Sequence, residues 1–274
     1  MFKNAKENTL RGGGAMSPSL NPDKDVACPV GEIQALEFRA MYGDLGMTEA
    51  AHSTDCFDED ETVNEAAERL KTRYFYRFAK RFFDIVFSLF ILTAFSWLFL
   101  IVAVAIKVDD PKGPVLFKQK RVGKDGREFQ MYKFRSMCVD AESRLGELRA
   151  LNEKTGPVFK MKDDPRVTRV GHWLRKLSLD ELPQFVNVLK NDLAVVGPRP
   201  ALLTEVATYT PRQRQRLLVK PGITCYWQTR RNRDSITFDE WIELDLLYIK
   251  QCSLWTDFKL IVQTVGCVLT AQGS

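Results

Sequence analysis

Between Ile85 and Ile106 the chain runs for 22 residues, IVFSLFILTAFSWLFLIVAVAI, without one charged side chain. At about 1.5 Å rise per residue, a helix of that length reaches across the roughly 30 Å hydrocarbon layer of a bilayer. Soluble helices keep a polar face over such a length, so a buried core helix is the weaker reading and membrane insertion the stronger. Lys71, Arg73, Arg77, Lys80 and Arg81 precede the run, and Lys107, Lys112, Lys118, Lys120 and Arg121 follow it. Basic flanks mark the cytoplasmic end of a spanning helix, and here both ends carry that mark. The pattern favours a segment that enters and leaves through one face. A simple span stays open, because nothing inside the run forces a break.

The rest of the 274 residues, 45% apolar overall, suffices for one large domain or two small ones and excludes disorder throughout. Charge is unevenly divided: residues 1–70 carry 6 basic and 14 acidic side chains, the remainder 34 and 21. A basic body calls for an anionic partner: phosphate groups on a small substrate, lipid headgroups or nucleic acid. Nucleic acid is disfavoured, since the basic residues are flanked by prolines and carboxylates without a helix stripe or stacking platform. The first 70 residues, with Gly12-Gly13-Gly14, scattered prolines and the acidic run Asp58 to Glu61, read as a largely disordered or loosely helical extension. Their charged start leads into no apolar stretch, so no secretory signal is expected. The six cysteines form no CxxC pair, which points to a reduced, cytoplasm-facing protein without zinc. With His52 and His172 the only histidines, carboxylates are left to carry any catalysis.

Alternation in Val115–Val122 and Glu128–Phe134 around Asp125-Gly126 predicts a β-hairpin closed by a type I′ turn. Residues 140–151, 182–190, 201–218 with an interruption at Pro211, 237–251 and 254–270 read as helices. The fold class is therefore α+β, mostly helical. It comprises the extension 1–70, a membrane-inserted helix with basic flanks at 71–112, re-entrant or spanning, and a cytosolic catalytic domain at 113–274. That domain carries a small β-hairpin and amphipathic interface helices. Trp241 and Tyr248, after a capping-box pattern at Thr237 and Glu240, read as core; Trp255 and Phe258 suit a membrane interface equally well.

The densest chemical signal is Leu174-Arg-Lys-Leu-Ser-Leu-Asp180-Glu181-Leu-Pro183-Gln184. Pro183 belongs in a first helical turn, so the helix is expected to start near Ser178 to Asp180. Asp180 and Glu181 then sit at the positive end of its dipole, which lowers both pKa values. Ser178 and Glu181 also match a capping box, a purely structural reading. Lys133, Arg135, Arg166, Arg169, Arg175 and Arg199, the last between Pro198 and Pro200, supply groups suited to phosphate oxygens. Together these suggest a metal-assisted reaction at a phosphate, with one carboxylate holding a divalent ion and the other free to attack.

Lys80-Arg81-x-x-Asp84, Gly113-Pro-Val-x-Phe117-x-Gln-x-Arg121-Val-Gly, Lys133-Phe-Arg-Ser-Met137, Asp164-Pro-Arg-x-Thr-Arg-x-Gly171, the Leu174–Gln184 run, Asn187-Val-Leu-Lys, Gly197-Pro-Arg-Pro200 and Lys220-Pro-Gly-Ile-Thr224 stand in order. They closely resemble the bacterial sugar transferases, monotopic polyprenyl-phosphate phosphoglycosyl transferases of the kind that initiate exopolysaccharide, capsule and O-antigen synthesis. The resemblance covers roughly residues 78–270. It implies that Asp180 attacks the sugar-bearing phosphate of a UDP-sugar with release of UMP, that Glu181 holds Mg²⁺, and that undecaprenyl phosphate then takes the phosphosugar from Asp180. Arg175 and Arg199 are the foremost candidates for the phosphates, with Lys133 and Arg135 after them. It also implies a re-entrant helix placing the catalytic domain on the cytoplasmic face of the inner membrane, among its lipids; a homo-oligomer is left open. The stretch Asn152 to Asp164 resembles members that transfer glucose or galactose 1-phosphate, with an N-acetylated donor or a catalytically silent membrane scaffold as alternatives. Two departures stand out: the family's helix-breaking proline is absent, with Ser96-Trp97 in its neighbourhood, and Cys225 replaces a glycine.

Overall fold

The computed structural model describes residues 59–153, 156–230 and 235–270. Most of the N-terminal extension lies outside them. Its end does not stay loose: Glu61–Thr72 forms a helix, α1, whose N-cap Asp60 accepts a hydrogen bond from the Thr62 N–H. The acidic run is tied down there. Asp60 pairs with Lys250 at 2.7 Å and Arg212 at 3.4 Å, while its backbone exchanges two hydrogen bonds with the Gln215 amide, at 2.9 and 2.8 Å. Val63 and Ala67 are buried beneath.

The long apolar run is not one helix. It is divided between α2 (Tyr74–Ala94) and α3 (Ser96–Asp109), bent by 60° at Phe95. Among the described residues no single helix is both long and apolar enough to cross a membrane; α2 and α3 meet that condition only together. A hydroxyl supplies what the missing proline does not. Thr93 Oγ1 donates back to the carbonyls of Leu89 (2.8 Å) and Phe90 (3.2 Å), the kind of competition that bends helices.

Both limbs then pack against the same body. On α2, Arg81 donates to the carbonyls of Val188 (2.7 Å) and Leu189 (3.0 Å), and buried Asp84 accepts the Val195 N–H at 3.0 Å. On α3, Val102 and Ile106 share a core with Phe134 and Leu174, and Asp109 accepts the Val170 N–H at 3.1 Å. Each such buried apolar side chain stabilises the fold by about 1.5–3 kcal/mol. The opposite side is not core: Phe90, Trp97 and Leu100 are each at least 59% exposed.

Strands β1 (Leu116–Val122) and β2 (Glu128–Phe134) form the expected antiparallel hairpin, with Val122 opposite Glu128 and Leu116 opposite Phe134. Asp125 and Gly126 both adopt positive φ in the connecting turn, as type I′ geometry requires. Two elements went unanticipated. One is α4 (Arg169–Lys176), capped by Thr168 through the Gly171 N–H. Gly171 is needed because a Cβ there would stand 1.9 Å from the Ser136 carbonyl oxygen at the end of the hairpin. The other is a parallel pair, β3 (Ala194–Val196) with β4 (Gly222–Thr224). After α4 come a 3₁₀ turn at Leu179–Glu181 and α5 (Gln184–Leu189).

The helix expected over 140–151 reduces to turns, a single helical turn at Leu145–Leu148 that contains the weak helix former Gly146, and a 3₁₀ turn at Arg149–Leu151. The one expected over 201–218 is broken as anticipated at Pro211, with α6 (Leu203–Ala207) ahead of the break. Helix α7 (Phe238–Gln251) begins with the expected Thr237 and Glu240 capping box, and α8 (Leu254–Leu269) follows. Trp241 and Tyr248 are buried, whereas Trp255 and Phe258 stack at 5.7 Å on the surface.

Burial opposes ionisation of the Asp60 carboxyl, but hydrogen bonds from Lys250 and Thr62 and the charge of Arg212 outweigh it and hold the group at about 2. A depressed carboxylate pKa stabilises the fold above the unfolded value of about 3.9, and that contribution is lost as pH falls toward the folded one. Asp60→Ala is therefore expected to destabilise the protein by about 1–2 kcal/mol at neutral pH, with the gap to wild type closing below about pH 4, as read by thermal melts.

Candidate active site

Helix α4 stops because Ser178 turns left-handed, at φ 54° and ψ 22°. A non-glycine residue held there carries backbone strain, the kind that accumulates at functional sites. The reversal places Leu179–Glu181 in a 3₁₀ turn ahead of α5, with Pro183 directly before that helix. The capping box expected of Ser178 and Glu181 does not form, since the Ser178 side chain makes no cap bond. The carboxylates stand on the approach to α5 rather than within its first turn.

Asp180 is 8% exposed. Lys133, delivered by β2, places its ammonium 2.8 Å from Glu181 Oε1 and 3.8 Å from Asp180 Oδ2. One cation thus serves two neighbouring carboxylates. The expectation that both pKa values fall is corrected for Asp180. Burial pushes it up to about 6, helped by the charge of Glu181 and resisted by Lys133 and Arg175. Glu181 goes the other way: burial opposes its charge, but Lys133, through charge and hydrogen bond, with Arg199 and Arg121 beyond, holds it below the ordinary value. One 3₁₀ turn has too small a dipole to outweigh desolvation at Asp180.

A cleft opens on the Glu181 side, lined by Arg121, Lys133, Glu181, Gln184, Arg199 and Gln228. The Arg199 guanidinium lies 3.7 Å from Glu205 Oε1 and 5.5 Å above the Trp241 ring. Of the anticipated phosphate-binding residues, Lys133, Arg175 and Arg199 gather around the two carboxylates. Arg135 does not: it is buried against Asp110, donating to the carboxylate at 2.9 Å and to the backbone carbonyl at 2.5 Å. Arg166 likewise is engaged by Asp164. Arg121 was not singled out for the site, yet it is buried in the cleft wall and donates to Gln119 and to the Pro200 carbonyl. A signal existed, because Phe117, Gln119 and Arg121 share the inward face of β1. Cys225, in place of the family's glycine, is fully buried with its thiol 3.4 Å from Gln228 Oε1, so the loop holds a small side chain there.

The donor set suits magnesium, a hard cation that takes one or two carboxylates and completes its shell with phosphate and water oxygens. Among the described residues no cluster of three or more His, Cys, Asp or Glu exists to hold an ion without such help. Ionised Glu181 is the fitting ligand.

The chain belongs to the bacterial sugar transferase family, whose model matches residues 75–271. Among named relatives, it is 44% identical over 202 residues to a galactosyl transferase CpsE of Streptococcus agalactiae, covering 74% of this chain and 44% of that protein. It is 41% identical over 205 residues to an undecaprenyl-phosphate galactose phosphotransferase of Salmonella typhimurium, covering 72% and 42%. A UDP-N-acetylgalactosamine-undecaprenyl-phosphate N-acetylgalactosaminephosphotransferase of Aeromonas hydrophila is 41% identical over 204 residues, covering 73% and 45%. The chain thus spans less than half the length of these relatives.

Carboxyl carbon NMR of ¹³C-aspartate-labelled protein is expected to show Asp180 titrating at about 6. Removing the Lys133 charge with Lys133→Met is expected to move that midpoint upward; an unmoved midpoint speaks against the bridging ammonium.

Proposed function

We propose that the protein transfers a sugar 1-phosphate, of glucose or galactose, from a UDP-sugar to a polyprenyl phosphate, typically undecaprenyl phosphate, by way of a phosphosugar on Asp180. The carrying observation is the divided pair. Asp180 and Glu181 are adjacent, yet their surroundings push their pKa values in opposite directions, and such division separates chemical roles.

With a pKa of about 6, Asp180 is ionised at neutral pH and, being buried, little stabilised by water. A carboxylate oxygen of Asp180 attacks the phosphorus that bears the sugar. The bond from that phosphorus to the UMP oxygen breaks, and UMP leaves with the bonding electrons. A phosphate oxygen of the lipid then attacks the same phosphorus, the bond to Asp180 breaks, and the free carboxylate returns. Both steps bring anions together, so catalysis rests on neutralising charge. Lys133, Arg199 and Arg121 face the cleft for that purpose, and Arg175 acts on Asp180 from α4. Glu181 would hold a magnesium ion there, which would supply further charge neutralisation.

The bent pair α2–α3 accounts for access to a lipid substrate. Its apolar outer surface enters the bilayer as a wedge, and because both limbs return to one body, the cleft stays at the cytoplasmic membrane face. A second reading, an N-acetylated donor, is favoured by the Aeromonas relative, whose identity equals that of the galactose-named one. The complete acidic pair argues against a silent scaffold.

The test is UMP release and lipid product formation by purified protein with Mg²⁺, undecaprenyl phosphate and a panel of UDP-sugars. Asp180→Ala and Glu181→Ala are each expected to abolish turnover, and Lys133→Met to lower it by about 10²–10³-fold. Near-normal turnover by Asp180→Ala would remove the covalent step. In flotation with vesicles, Leu100→Asp combined with Val104→Asp is expected to release the protein from lipid with its melting temperature unchanged; persistent binding would place the membrane contact elsewhere.

A further inference from the structure

Arg199 is held by its backbone as well as by its side chain. The Pro198 carbonyl accepts the Gly222 N–H at 2.9 Å, the Arg199 carbonyl accepts Arg216 Nη2 at 3.0 Å, and the Pro200 carbonyl accepts Arg121 Nη1 at 3.0 Å. Three successive carbonyls are thereby fixed. The first bond belongs to the β3–β4 junction, and the last comes from a residue of the cleft itself. The middle one comes from neither.

Arg216 is 2% exposed and does not itself line the cleft. Its planar fork serves three acceptors on separate elements: the Arg199 carbonyl, the Tyr209 hydroxyl at 2.9 Å, and the carboxylate of Asp245 on α7. Asp245 is 1% exposed. A buried ion pair is a poor way to fill volume, because desolvation offsets much of its attraction and apolar residues of similar size often serve stability as well. An apolar pair cannot donate to a carbonyl, and a point-like ammonium cannot reach three acceptors set out as a fork.

We propose that Arg216, locked by Asp245, is the positioning residue of Arg199: it fixes the backbone from which the Arg199 guanidinium reaches the substrate phosphate. The proposal rests on the phosphate-binding role given to Arg199 above. Arg216 is buried behind the cleft, and its bond to the Arg199 carbonyl is the contact through which it acts on that residue.

A double-mutant cycle separates this from ordinary structural support. Initial rates of UMP release give KM for the UDP-sugar and kcat for wild type, Arg199→Ala, Arg216→Lys and the double variant, each checked by thermal melt. Arg216→Lys is expected to raise KM roughly tenfold with a smaller change in kcat, and to add nothing in the Arg199→Ala background. If Arg216→Lys does not fold, Tyr209→Phe, which leaves both buried charges in place, replaces it in the cycle with a smaller but equally non-additive effect expected. Full additivity with Arg199→Ala would overturn the positioning role, as would unchanged kinetics in the Arg216→Lys variant, or in Tyr209→Phe where it is the variant used. Unchanged kinetics in Arg199→Ala alone would instead remove the role of Arg199 and the proposal with it.

Discussion

The Lys133 ammonium lies within 4 Å of two carboxylates that occupy consecutive positions in the chain, one of them almost sealed from water. Two buried negative charges side by side repel each other and lose their hydration, and without a cation between them at least one takes up a proton. Much of the architecture serves to maintain this arrangement. The hairpin delivers Lys133, the left-handed Ser178 aims the acidic turn, and Gly171 lets α4 approach the hairpin until its backbone meets that of Ser136. The neighbouring arginines arrive separately, Arg121 along β1 and Arg199 from the end of β3. An ion pair at the centre and close backbone contact at the edges together define one geometry.

The opposite pKa shifts of the two carboxylates follow from surroundings rather than from residue type. Glu181 opens toward the cleft and collects the attraction of Lys133, Arg199 and Arg121, whereas Asp180 faces inward, where burial dominates. Adjacent residues of a 3₁₀ turn point about 120° apart, so a single turn sends one side chain to the cations and the other to the interior. The same logic explains why Arg135, two residues after Lys133, stays out of the cleft. It shares the Lys133 side of the hairpin but lies past the end of β2, where Asp110 captures it.

Much of this could be read in the sequence, where local chemistry decides local structure. The hairpin followed from alternation and Asp125-Gly126, the start of α7 from Thr237 and Glu240, and the acidic pair from its setting among arginines. What stayed hidden depends on contacts far apart in the chain. α1 is an ordered helix because Asp60 meets Arg212 and Lys250, which no window around residue 60 contains. The β3–β4 pair is too short for periodicity to register. The direction of the Asp180 shift required its burial, and no proline marks the break at Phe95, where the Thr93 hydroxyl turns to backbone carbonyls. The family motifs identified the family that the comparison bears out, and they span residues that only the fold brings together.

Asp60 also gives the N-terminal helix a mechanical meaning. It grips Arg212, which lies four positions before Arg216, and Lys250, which shares a helix with Asp245. A pull on α1 is therefore not absorbed by a slack linker: it acts on the two segments that carry the buried pair behind Arg199. Helix α1 and the backing of Arg199 therefore share one set of supports.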